Sequence, residues 1–157
     1  MDYKKNILIV GSVIVIAGLV VFTVYKKESM APGKEGQTKA TLAELKKTDF
    51  GTNVPVDFPT NIPLEKGAKV EQSYGLSYEG QKQLSIVFLS TKTVKENYTL
   101  YADFLKNQGW NVSNKYESIK LSSLYGTKES NDINVTISEN TSATSAKSQV
   151  SISVLEK

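Results

Sequence analysis

The chain has 157 residues and a formal charge of +3, from 19 basic and 16 acidic side chains. Every basic residue is lysine; arginine, histidine and cysteine are absent. Those absences exclude thiol and Ser-His-Asp catalysis, zinc fingers, imidazole metal sites, disulfides and bidentate guanidinium clamps on phosphate or guanine.

The charge is unevenly placed. Residues 1–27 hold four lysines and one aspartate, which accounts for the whole excess; residues 28–157 balance fifteen lysines against fifteen acids. Between Lys4-Lys5 and Lys26-Lys27 lies an uncharged apolar run, residues 7–25. As a helix it would be about 28 Å long, close to the ~30 Å hydrocarbon core of a bilayer. Its β-branched residues disfavour helix in water. In lipid only a helix satisfies every backbone group, so the preference reverses. Tyr3 and Tyr25 bracket the run as interfacial aromatics do. A cleaved signal peptide would have a shorter apolar core and a small-x-small site after it. The one nearby match, Ser29-Met30-Ala31, is followed by Pro32, which should block cleavage. Residues 1–27 are therefore expected to be an uncleaved transmembrane anchor whose partner is the lipid bilayer, through residues 7–25. The flanking lysines are nearly symmetrical. The short amino-terminal tail is expected to stay inside while the carboxy-terminal part crosses.

Residues 28–53 read as a flexible linker, with Ala31-Pro32-Gly33 and no periodicity. Thr41-Leu-Ala-Glu44 has the form of a capping box, which predicts a short helix over residues 41–47. A folded domain is expected over residues 54–157. It opens on an extended arm in which Pro55, Pro59 and Pro63 alternate with Val56, Phe58, Ile62 and Leu64. Proline cannot donate to a sheet ladder, so the arm is expected to pack on the domain core rather than join a sheet.

Alternation predicts strands at 69–77 and 83–91, joined by a turn at Tyr78-Glu79-Gly80-Gln81. A second capping box, Thr93-Val-Lys-Glu96, starts a helix that Gly109 ends. Val94, Tyr98, Tyr101, Ala102 and Leu105 form its apolar stripe. An extended run from Trp110 to Tyr116 follows, then strands at 119–127, 132–138 and 148–155. The expected fold class is α+β: an N-terminal transmembrane helix plus a two-layer domain, its antiparallel sheet of order β-β-α-β-β-β-β covered by one helix.

Two patterns resemble a known kind of domain. Phe58-Pro59, Ile62-Pro63 and Gly67-Ala68 match an F-P-x-x-I-P-x-x-x-G-A arm. Tyr101, Leu105 and Gly109-Trp110 match a Y-x-x-x-L-x-x-x-G-W helix end. Residues 54–157 are in this respect similar to uncharacterised bacterial envelope domains carried behind a lipoprotein signal or a membrane anchor. The resemblance implies an extracytoplasmic position and no reaction.

Chemistry is sparse. A Ser-Lys dyad would need a buried lysine or a glycine elbow presenting the nucleophile, and neither stands out. Paired carboxylates for glycoside cleavage would need a deep cleft. Glu129-Ser-Asn131-Asp132-Ile-Asn134 gathers oxygen ligands but lacks the spacing and glycine of a calcium loop. No phosphate-cradling glycine loop is present. N-x-S/T triplets start at Asn97, Asn111, Asn134 and Asn140, against about two expected by chance, a weak signal for glycosylation, and Asn97 falls inside the predicted helix. The balanced charge of residues 28–157 gives no field for nucleic acid. No catalytic residue, cofactor or metal is therefore expected.

What remains is binding. Val87 and Leu89 have the opposite parity to Leu84, Ile86 and Phe88, so on a central strand they would form an apolar spot on the open face of the sheet. That spot is the candidate interaction surface, for an envelope protein or a cell-wall partner. The competing expectation is that the proline arm covers it. The expected function is that of a single-pass envelope protein displaying a non-enzymatic interaction module. One alternative is a pilin-like or secretion-apparatus subunit, although residues 5–16 show neither a Gly-Phe processing site nor the glutamate that should follow it. The other is a small membrane-anchored hydrolase.

Overall fold

The computed structural model describes residues 45–142 and 145–157. The expected anchor at 7–25 and most of the expected linker lie outside them. Among the described residues no helix is long and apolar enough to cross a membrane.

The described residues form seven strands and one helix, in chain order β1 (Lys46–Gly51), β2 (Lys69–Tyr78), β3 (Gln81–Ser90), α1 (Val94–Asn107), β4 (Asn111–Tyr116), β5 (Leu121–Lys128), β6 (Asn131–Glu139) and β7 (Ser148–Glu156). All pairings are antiparallel, in the order β1-β2-β3-β7-β6-β5-β4. The last strand returns to the middle of the sheet, between β3 and β6.

This overturns the expected fold class. In place of an α+β domain of order β-β-α-β-β-β-β, the described residues form a predominantly antiparallel seven-stranded sheet with one helix, in the order β-β-β-α-β-β-β-β. The decisive difference is β1, which lies in the range read as linker. Lys46 and Lys47, expected to end a short helix, pair with Ser77 and Leu76 of β2. The capping box itself, residues 41–44, lies outside the described residues, and β1 shows almost no alternation that would have marked it as a strand. It is an edge strand held by its ladder to β2, with Phe50 as its one apolar anchor. Phe50 lies 3.3 Å from where a side chain on Gly75 would begin, so Gly75 leaves room for the ring.

Three cross-strand rows build the core. Ile86, Ile152, Val135 and Leu124 are in register across β3, β7, β6 and β5; Phe88, Val150 and Ile137 lie on one side, Leu84, Val154 and Ile133 on the other. All ten side chains are buried. Gly126 completes the third row beneath Trp110, whose Cβ lies 3.5 Å from the position a side chain there would take.

Two elements cover these rows. Helix α1 lies over β4, β5 and β6. Its N-terminus is a capping box, with Thr93 N–H donating to Glu96 Oε2 at 2.7 Å and Glu96 N–H to Thr93 Oγ1 at 3.2 Å. At its C-terminus Gly109 takes φ +74°, and Trp110 N–H reaches the Leu105 carbonyl at 2.9 Å. The proline arm supplies the rest of the cover, contributing buried Phe58 and Ile62 to the same core. Asp57 pairs with Lys82 of β3 at 2.6 Å, and Tyr101 Oη of α1 donates to the Pro63 carbonyl at 2.8 Å.

Both edges are blunted. The register shifts between Asp49 and Gly51 on β1, and between Val112 and Asn114 on β4. Bulges of this kind, with lysines at 46, 47 and 115, discourage further strand addition.

Candidate interaction surface

The opposite face of the sheet carries neither α1 nor the arm. The expectation that the proline arm covers Val87 and Leu89 is thus overturned: Phe58 and Ile62 are drawn to the larger apolar field on the helix side. Val87 and Leu89 are both half-buried on β3, an interior strand flanked by β2 and β7. Val87 lies in register with Gln72 and Ser151, and Leu89 with Lys69 and Gln149. Lys69 is drawn aside by Glu71, at 2.9 Å.

Beyond these two residues the face is dominated by hydroxyl and amide groups. One row runs Gln72, Val87, Ser151, Thr136, Ser123 and Tyr116 across six strands. The next runs Tyr74, Ser85, Ser153, Asn134 and Tyr125. Part of this second row is closed to a ligand. Ser85 Oγ and Ser153 Oγ share a hydrogen bond of 2.8 Å, Gln83 Nε2 donates to Ser85 at 3.1 Å, and all three residues are buried. The Tyr74 ring lies under Lys47 Nζ, 5.3 Å from the centroid. The row through Val87 and Ser151 and the one beyond it, through Leu89, remain accessible; on the other side of the buried row, half-buried Leu76 and Leu155 flank Gln83.

The β4–β5 hairpin adds exposed apolar residues that sequence reasoning missed. Ile119 is 85% exposed, Tyr116 53% and Leu121 44%. Residue 119 was expected to open a strand; the strand begins at Leu121. The turn is instead held by serine hydroxyls: Ser118 Oγ donates to the Leu121 carbonyl at 2.6 Å, and Ser122 Oγ donates to the Ser118 carbonyl at 3.0 Å. The available signal was parity, because Ile119 shares the solvent-facing parity of Leu121, Ser123 and Tyr125.

A second polar cluster has the residue types of a site and the geometry of a clamp. The Glu65 carboxylate of the arm accepts from Ser90 Oγ at 2.5 Å, from Thr91 N–H at 3.3 Å and from Thr91 Oγ1. Asn97 Nδ2 of α1 donates to Ser90 Oγ at 2.8 Å and to Ser148 Oγ at 2.9 Å. Ser148 Oγ passes the chain on to the Lys92 carbonyl at 2.7 Å. Ser90, Asn97 and Ser148 are all buried. These hydrogen bonds tie arm, helix and two strands together.

This clamp makes stability depend on pH. Hydrogen bonds from Ser90 and then Thr91, with Lys92 nearby, hold the Glu65 carboxyl below its ordinary value. A carboxyl whose folded pKa is depressed stabilises the fold above its unfolded pKa. That contribution disappears as the pH falls through the ordinary carboxylate range to the lower folded value. Glu65→Gln should cost about 1–2 kcal/mol near neutral pH, because the amide cannot accept at every contact. It should also flatten part of the acid limb in a series of denaturant titrations. A variant with the parental acid limb would show that Glu65 does not carry it.

The acidic turn at residues 129–134 is the β5–β6 hairpin, where Asp132 pairs with Lys157 at 2.6 Å. Among the described residues no group of three or more acids gathers to hold a metal ion. No family model matches the chain, and no curated protein or solved structure matches it.

Proposed function

We propose that this chain is a single-pass membrane-anchored envelope protein that displays a small, non-enzymatic interaction module outside the cytoplasm. The sequence supports the anchor, through the uncharged run at 7–25 between two lysine pairs. The likeness of the arm and helix-end motifs to bacterial envelope domains agrees with it. The observation that carries the binding role is the face around Val87 and Leu89, which among the described residues neither the helix nor the arm covers. On this reading the bilayer is one partner, through residues 7–25. An envelope protein or a cell-wall component is the other, met by the open face.

The test uses the full chain in detergent or nanodiscs, exposed to envelope extract. Val87→Lys with Leu89→Lys places two charges on a solvent-facing, half-buried surface. Their joint cost to stability should stay near 1 kcal/mol. Capture of the partner retained by the parent protein should be lost. Equal capture by parent and variant would remove this face from the reading.

A further inference from the structure

We draw no further inference here: the strongest candidate, the open face of the sheet around Val87 and Leu89 with the exposed Tyr116, Ile119 and Leu121 of the β4–β5 hairpin at its far edge, is an unpartnered surface, and nothing in the structure shows what covers it.

Discussion

Tyr101→Ala is expected to destabilise the domain by about 3–5 kcal/mol, the range for truncating a buried aromatic side chain. Tyr101 is 1% exposed and stands in the middle of α1, facing the core. Its loss would open a cavity between the helix and the sheet. It would also break the hydrogen bond to the Pro63 carbonyl that ties the arm to the helix. Tyr101→Phe separates the two effects. It keeps the ring and removes the hydroxyl, so it should cost about 1 kcal/mol, plus the penalty of leaving a carbonyl without its donor. Burial, with Glu65 nearby, pushes the phenol well above its ordinary pKa, so it remains a donor throughout the usual pH range. Trp110 is the sole tryptophan and packs beside Gly126 at the helix end, so its fluorescence reports denaturant unfolding directly. Against a typical domain stability of about 5–15 kcal/mol, the alanine variant should move the midpoint far to lower denaturant. A shift equivalent to about 1 kcal/mol or less would mean that arm and helix do not share this core.

Asn97→Ala should cost about 3 kcal/mol, which is large for an uncharged polar residue. The side chain is 2% exposed and bridges Ser90 at the end of β3 to Ser148 at the start of β7. Alanine removes both bridges, leaves the serine oxygens short of a donor and opens a void beneath the first turns of α1. Asn97→Asp keeps the volume but replaces the donor with a buried acceptor. It should be at least as damaging, because Ser148 Oγ already donates to the Lys92 carbonyl. The readout is the same titration. Loss of protection from hydrogen exchange at the β3 and β7 ends would locate the damage. An alanine variant of parental stability would make the clamp ornamental.

The two positions show where the sequence was legible. Tyr101 belongs to an apolar stripe at helical spacing, and the capping box of Thr93 and Glu96 places the start of that helix. Strands β2, β3, β6 and β7 are readable for a similar reason: one face is wet and the other buried, so residues such as Ile133, Val135 and Ile137 alternate. Strand β1 has no such constraint. Its residues are mostly exposed and its order comes from backbone pairing, which leaves little trace in side-chain type. Nor was the side taken by the proline arm readable, because alternation places residues on two faces without saying which face a later segment covers. Asn97 was legible only as a triplet inside a helix. Its partners, Ser90 and Ser148, stand 7 and 51 positions away and meet it only once β7 is inserted beside β3. For Val87 and Leu89, parity gave the face and the fold supplied the interior strand.

Display outside the cytoplasm is the central claim, and one labelling experiment tests it most directly. Cysteine is absent from the chain, so Ser142→Cys creates a single thiol. Ser142 is exposed, in the loop between β6 and β7. An impermeant maleimide added to intact cells should label the full-length variant, and lysis should add little. Labelling that appears only after lysis would place the sheet domain inside and contradict the proposed orientation.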